Sequence, residues 1–213
     1  MEIHEWSLVL YDGARDNRPK PVVWREGDLI AQLHHAKTWK RSKVDAPAWS
    51  PVKMKPGATR AAGNVESITM LVLDCDAGED IRILETLGDE FIRLGHTSWS
   101  HSKAHPKARL VFPFRCPCPV RHWPKVWSAA SRWARAQGVT VDASTKDPSR
   151  LFFLPYVPWQ PGPEDSNPHL RGFESWVYGD CPEGSTHDVP GALPNRRRDW
   201  LCWAQLACEF PEP

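Results

Sequence analysis

The sequence predicts an α+β fold in which a mixed sheet of short strands carries flanking helices. Residues 67–76 form an apolar run with β-branched members, which is typical of a buried central strand. Stretches 79–95 and 121–138 repeat apolar residues at helical spacing and end at Gly95 and Gly138. Strand-like segments follow each helix, so the middle of the chain runs strand–helix–strand–strand–helix–strand.

The other elements follow from local signals. Residues 6–10 alternate apolar and polar side chains and stop at an Asp-Gly turn, which predicts a strand, and a short helix is expected over 26–33. Further strands are expected over residues 97–101, 108–114, 139–142, 150–154 and 173–178. This order of elements is typical of an RRM-like or ferredoxin-like sheet.

The end of the chain differs in composition from the rest. Residues 181–194 are rich in Gly, Pro and polar side chains, which predicts a linker after a domain over 1–180. Asn195 is suited to cap a C-terminal helix over 195–213, which is apolar around much of its circumference. Such a helix needs a partner surface, so it either packs back on the domain or leads into a further region.

Composition is that of an ordinary globular protein. The 213 residues are 41% hydrophobic and 25% charged, and the formal net charge is only +1, so no overall positive field points to nucleic acid. The N-terminus does not have the pattern of a signal peptide, and no run approaches the ~18 apolar residues of a membrane span. The six cysteines are scattered, which does not suit a secreted disulfide scaffold. We expect a cytoplasmic protein.

Residues 37–60 are rich in Lys, Arg, Pro and Trp and show no clear period. Two interpretations are open. The segment is either a solvated loop or a basic, aromatic surface for the backbone and bases of a nucleic acid.

The strongest chemical signal is LVLDCDAGED, in which Asp74 and Asp76 stand two apart at the end of the central strand. Residues i and i+2 of a strand share a face, so the two carboxylates project together while Leu73 and Cys75 point into a core. Adjacent carboxylates repel unless a cation neutralises them, and Mg²⁺ or Mn²⁺ prefers such oxygen ligands. The alternative is a strand end that meets solvent.

Two further strand ends carry polar residues. Ser100 and His101 close one predicted strand and Arg109 opens the next, a set that could hold a triphosphate. Asp142 closes a short strand and Arg150 begins the following one, adding a third carboxylate and another cation. A polar hairpin with surface histidines is the alternative for the first pair. Three such strand ends favour one shared cleft.

Taken together, these motifs resemble the archaeo-eukaryotic primase superfamily, and more narrowly the primase-polymerase domains at the N-termini of phage and plasmid replication proteins. The matching segments are the DxD at 71–76, TSWSH at 97–101 with the Arg-led strand at 109–113, and D…DPSR…LP at 142–155. Trp99 departs from the small residue often found there, which leaves open which serine touches phosphate.

The resemblance implies a nucleotidyltransferase that copies single-stranded DNA into short primers from nucleoside triphosphates. It implies Mg²⁺ or Mn²⁺ held by Asp74, Asp76 and Asp142, with His101 and Ser100 near the triphosphate. It also implies a bacterial host cell, and a helicase region in the same full-length protein. Rivals are a repair polymerase with the same site, a non-catalytic replication-initiator module that binds DNA, and a metal-dependent nuclease.

Zinc is not expected. Cys116 and Cys118 with His122 invite a zinc interpretation and Cys181 would be a fourth ligand, but Cys-x-Cys with interleaved prolines is not the usual knuckle spacing.

Overall fold

A computed structural model describes residues 4–158, 173–178 and 199–210. Its strands are β1 (Glu5–Tyr11), β2 (Lys20–Arg25), β3 (Lys37–Trp39), β4 (Ala48–Ser50), β5 (Val52–Met54), β6 (Val65–Cys75), β7 (Arg93–Thr97), β8 (Ala108–Pro119), β9 (Phe152–Phe153), β10 (Tyr156–Pro158) and β11 (Ser175–Tyr178). Its α-helices are α1 (Glu26–Leu33), α2 (Ile81–Thr86), α3 (Trp123–Ala136) and α4 (Trp203–Glu209). None of the helices in these ranges is long and apolar enough to cross a membrane.

The central sheet has the strand order β11-β7-β8-β6-β5, and each neighbouring pair is antiparallel. A second antiparallel sheet has the order β2-β1-β4-β9, and β3 pairs in parallel with β10. Strands and helices are thus mixed as the sequence predicts, and the α+β class is confirmed. The parallel pairing lies in the small β3–β10 sheet rather than in the central one.

Strand β6 separates two apolar cores, because alternate side chains of a strand point to opposite faces. Leu71 and Leu73 lie in the core that also contains α3, whose Trp123 and Trp133 are buried there. Met70 and Val72 lie in the other core, with side chains of the second sheet and of α1. The central sheet is therefore covered by helices on one face and mainly by a second sheet on the other.

The helix predicted over 79–95 is much shorter, and this part of the prediction is wrong. Asp80 caps α2 by accepting a hydrogen bond from the backbone N–H of Arg82, and the helix ends at Thr86. Gly88 has a φ of +68°, and a Cβ there would press on the rings of Phe112 and Trp133. The chain then turns and enters β7 at Arg93, so the next strand ends where it was expected to begin.

Two other segments also differ from prediction. Residues 139–142 are not a strand: the N–H of Asp142 bonds the carbonyl of Asp74 at 2.8 Å, and a one-turn 3₁₀ helix, Ala143–Lys146, follows directly. Residues 37–60 are not a single loop, because they contain β3, β4 and β5.

At the C-terminus, α4 packs on the domain. Leu206 is buried in the core that contains α3, and Leu201 forms a parallel bridge with Phe114 of β8. The packing matches the first of the two arrangements expected for the terminal helix, but the helix begins later than predicted, because residues 199–202 are not helical. The predicted linker, 181–194, lies outside the described residues, so the division into 1–180, 181–194 and 195–213 stays a prediction.

Gly95 supports a test of the packing between β7 and β11. It pairs with Trp176, and a Cβ at position 95 would overlap the buried indole ring. Gly95→Ala should lower the free energy of unfolding in urea by about 1–3 kcal/mol, as overpacking does. The control is Gly63→Ala, where a Cβ meets nothing within 4 Å and the change should stay within about 0.5 kcal/mol. Equal effects of the two changes would contradict this packing.

Candidate active site

A row of polar side chains continues the apolar face of the central sheet. Along β6 the sequence Met70, Val72, Asp74 keeps to one face, and the first two are in the apolar core against the second sheet. Arg109 of β8 lies directly opposite Asp74, and His96 of β7 lies opposite Arg109. Three neighbouring strands therefore each place one polar residue at the same end of this face.

Asp74 and Arg109 form a buried ion pair. Nη2 of Arg109 lies 3.2 Å from both carboxylate oxygens of Asp74, and Nη1 donates to the carbonyl of Phe153 at 2.9 Å. The guanidinium also stacks over the ring of Phe152, 5.0 Å from its centroid. The two residues are only 7% and 6% exposed. Asp74 is thus already neutralised by a side chain of the protein, while Cys75 points into the helical core as the sequence predicts.

Asp76 lies just beyond the end of β6 and is more open. Its Oδ2 is 3.7 Å from Nζ of Lys107, and its side chain is 43% exposed. Its Oδ1, however, is buried and has no hydrogen-bond partner. A buried carboxylate oxygen without a partner is costly, so this atom is the best placed in the row to receive a cation.

Asp142 is held by its own turn and by Arg150. Its carboxylate accepts hydrogen bonds from the N–H and hydroxyl of Ser144, and its Oδ2 is 3.6 Å from Nη2 of Arg150. Burial raises the pKa of Asp142, but the two Ser144 bonds and the charge of Arg150 outweigh it, so the pKa lies below its ordinary value. The carboxylate is therefore ionised at neutral pH.

These groups line one cleft of about 490 Å³. Its charged lining residues are Lys43, Arg60, Asp74, Asp76, Arg109, Asp142, Asp147 and Arg150. All three carboxylates predicted as metal ligands, and both arginines predicted to face phosphates, are in this set. The cleft therefore brings together five of the seven predicted site residues.

The other two predicted residues are placed differently. Ser100 lines a small pocket of about 40 Å³ that shares Asp74, Asp76 and Arg109 with the cleft. His101 lines neither space: its Nδ1 accepts a hydrogen bond from the N–H of Lys107 at 3.2 Å, in the loop after β7. The early end of β7 is the reason, because it moves His101 four residues past the strand.

Sequence reasoning missed three residues of this region. Lys43 lines both the cleft and the small pocket, with Nζ 5.4 Å from the centroid of the Phe153 ring. Burial lowers the pKa of Lys43, and the positive charge of Arg109 acts in the same direction. Arg60 lines the cleft and donates to the carbonyl of Ala14 at 3.0 Å. Both belong to the basic stretch 37–60, which was the available signal.

His96 is the third, and it lines the small pocket. It is fully buried, its Nδ1 lies 3.0 Å from the carbonyl of Thr97, and its Nε2 has no hydrogen-bond partner. Burial lowers its pKa to about 4, and the charge of Arg109 adds to this effect. A neutral ring must donate from Nδ1 to Thr97, which leaves an acceptor lone pair on Nε2 beside the ion pair.

The donor chemistry around Asp76 fits a hard divalent cation such as Mg²⁺ or Mn²⁺, which binds carboxylate oxygens. The partnerless Oδ1 of Asp76 would be one ligand. The carboxylate of Asp74, whose oxygens keep lone pairs beyond those that face Arg109, would be a second. Among the residues that the structure describes, no three acidic, His or Cys side chains are grouped closely enough to hold a metal. Asp142 would have to turn away from Arg150 to complete the set.

The cysteines considered for zinc lie away from this cleft. Cys116 is exposed and Cys118 is buried at the far end of β8. The ring of His122 stacks on Trp203 at 5.3 Å, and its Nε2 accepts a hydrogen bond from Arg121. Cys181 lies outside the described residues, and the absence of zinc stays a prediction.

The buried state of His96 predicts a pH dependence of stability. Because its pKa is about 4 in the folded protein and ordinarily 6.5, its contribution is complete above pH 6.5 and is lost as the pH falls toward 4. The free energy of unfolding should fall by roughly 3 kcal/mol more in the wild type than in His96→Gln over this range. Urea unfolding at pH 7 and pH 4 measures this difference. The same loss of unfolding free energy in both proteins would show that burial does not lower the pKa of His96.

No protein-family model matches the sequence, and neither does any curated protein. Among solved structures, the chain is similar to the AEP domain of the cyanophage S-2L primase-polymerase, with 9% identity and a TM-score of 0.45 over 97% of this chain and 89% of that one. It is also similar to the polymerase domain of Mycobacterium tuberculosis Ligase D in complex with DNA, with 17% identity and a TM-score of 0.36 over 71% and 68% of the two chains.

Because both TM-scores are below 0.5, roles for individual residues rest on the contacts described above.

Proposed function

We propose that this chain is a DNA-dependent primase-polymerase that makes short primers on single-stranded DNA, in the replication of a phage or plasmid. The observation that carries the proposal is the cleft of about 490 Å³, which gathers Asp74 and Asp76 from the end of β6 and Asp142 from a second segment, together with Lys and Arg side chains. Nucleotidyl transfer needs both kinds of group, because carboxylates would hold the metal ions and cationic side chains would bind the anionic triphosphate.

The cationic wall suits the triphosphate. Lys43, Arg60 and Arg150 line the cleft. The side chain of Arg150 is 41% exposed, so its guanidinium can leave Asp142 for a phosphate without a large desolvation cost. Arg109 has a different part, because both of its terminal nitrogens are already engaged within the protein. We assign Arg109 to hold Asp74 in place and Arg150 to contact phosphate directly.

The proposed reaction is an in-line attack by a 3′-hydroxyl on the α-phosphorus of a bound nucleotide, with pyrophosphate as the leaving group. Divalent cations bound by Asp74, Asp76 and Asp142 would make the hydroxyl more acidic and offset the charge of the leaving group. Lys43 and Arg150 would offset the remaining negative charge on the phosphates. Asp74, fixed by Arg109, would keep its orientation throughout.

Asp142 is the proposed third ligand rather than Asp147, although both line the cleft. The backbone N–H of Asp142 bonds the carbonyl of Asp74, which ties the two acids together. Asp147 is exposed and accepts hydrogen bonds from the N–H and hydroxyl of Ser149, just as Asp142 does from Ser144. The link to Asp74 and the lower exposure of Asp142 are therefore what distinguish the two acids. Ser100 and His101 stay proposed nucleotide contacts, and for His101 the loop after β7 would have to move.

The test is synthesis on single-stranded DNA with Mn²⁺ and labelled triphosphates. We expect short products from the wild type and almost none from Asp76→Asn or Asp142→Asn, while the matched control Asp147→Asn stays active. These variants leave the buried Asp74–Arg109 pair intact, so melting temperatures should change little; Asp74→Ala is unsuitable because it strands a buried Arg109. An active Asp142→Asn beside an inactive, folded Asp147→Asn would reverse the assignment.

This assay, together with measurements of DNA binding and of DNA degradation, separates the rival functions. A repair polymerase would extend existing ends and make no product on template alone. A non-catalytic initiator module would bind DNA, and its DNA affinity would not fall when the carboxylates are replaced. A nuclease would degrade labelled DNA in Mn²⁺ with no triphosphate present. Any of these results would replace the proposed function.

A further inference from the structure

Residues 37–43, here called the basic segment, form a short cationic surface next to the cleft. The sequence KTWKRSK contains four cations and no acid. It comprises β3 and the loop that leads to Lys43, and the residues at 37, 40 and 41 are exposed. The overall net charge is only +1, so this concentration of positive charge is local.

Two aromatic side chains lie on this segment and on its partner strand. The rings of Trp39 in β3 and Tyr156 in β10 have centroids 5.2 Å apart and planes tilted by 53°. The indole N–H of Trp39 donates to the carbonyl of Ser42 at 3.2 Å, which fixes the ring on the turn. We call these two residues the aromatic pair.

The aromatic pair is unlike the tryptophans of the cores. Trp6, Trp49 and Trp133 are at most 5% exposed, whereas Trp39 and Tyr156 are only partly buried. A partly exposed aromatic pair among cations is the combination by which proteins bind single-stranded nucleic acids: phosphates meet the cations and bases stack on the rings. A duplex would not fit this combination, because its bases are already stacked on each other.

The aromatic pair is also close to the cleft along two paths of the chain. Phe153 lines the cleft and Tyr156 follows three residues later, a span of at most about 10 Å in an extended chain. Lys43 lines the cleft four residues after Trp39. A strand bound on the aromatic pair would therefore reach the carboxylates within a few nucleotides.

We propose that the aromatic pair and the basic segment bind the single-stranded DNA template, with bases stacked on Trp39 and Tyr156 and phosphates on Lys37 and Arg41. The identity of the partner as a template rests on the proposed function, but the binding itself needs neither metal nor triphosphate. Lys37, Trp39, Arg41 and Tyr156 are not part of the cleft lining, unlike Lys43. The proposed contact also uses none of the carboxylates.

The experiment is fluorescence anisotropy of labelled oligodeoxythymidylate with the full chain in EDTA and without triphosphate. Trp39→Ala and Tyr156→Ala should each weaken binding about fivefold or more, whereas Trp39→Phe should keep most of the affinity. The exposed double variant Lys37→Glu/Arg41→Glu should weaken binding further and make it less dependent on salt. This variant changes no buried group, so it tests the surface even if an aromatic variant folds poorly.

The matched control is Arg115→Glu/Lys125→Glu, which makes the same change in net charge at exposed positions far along β8 and on α3. It should bind DNA almost as the wild type does. An equal loss of DNA affinity in the two double variants would mean that only the net charge of the protein matters, and it would overturn the proposal. Unchanged DNA binding by Trp39→Ala, with weaker binding of a nucleoside triphosphate, would also overturn it by assigning the rings to the incoming base.

Normal DNA binding through the aromatic pair by a protein that makes no primers would count against the proposed function alone.

Discussion

The ion pair between Asp74 and Arg109 is the interaction on which the site depends. Both residues are almost fully buried, and they lie opposite each other on the two central strands of the sheet. A buried pair adds little net stability, but removing one partner typically costs about 3–5 kcal/mol, because the other charge is left without compensation. The register of β6 and β8 and the charge pairing therefore require each other. A slip of one residue by either strand would turn the charge of that strand toward the helical core and leave the other charge without its partner.

The position of this pair explains why there is a cleft at all. The second sheet covers the face of the central sheet as far as the apolar residues Met70, Val72 and Val111 extend. Where that face becomes polar, at Asp74, the ring of Phe152 still lies over Arg109, but the apolar cover ends there and residues of the segments 142–150 and 37–60 border an open space. Those segments bring Asp142, Arg150 and Lys43, so the acidic row faces cations across the opening.

Much of this could be predicted from the sequence, for identifiable reasons. The alternation of side chains along residues 67–76 correctly predicted that Asp74 and Cys75 lie on opposite faces of the strand. The helical spacing of apolar residues in α3 correctly predicted its buried tryptophans. Helix α2 and strand β7 were mispredicted because apolar residues of the strand continued the helical spacing, and the break depends on Gly88 packing against Phe112 and Trp133. With the strand expected at 97–101 rather than 93–97, His96 was not considered as a site residue.

The ion pair itself was beyond sequence reasoning. Asp74 and Arg109 are 35 residues apart, and their contact depends on the register of two strands that neither motif specifies. The same holds for Lys43 and Arg60, whose charge was visible while their place on the cleft wall depends on three short strands within 37–60. Long-range register, rather than local propensity, is what the sequence did not reveal.

Binding of Mn²⁺ tests directly, without relying on activity, whether the carboxylates of this cleft bind a divalent cation. Electron paramagnetic resonance follows free Mn²⁺ as the full chain is added, for the wild type and for Asp76→Asn and Asp147→Asn. We expect the wild type and Asp147→Asn to bind Mn²⁺ alike and Asp76→Asn to bind it at least tenfold more weakly. Equal affinity in all three proteins, or no binding by the wild type at millimolar Mn²⁺, would contradict this expectation.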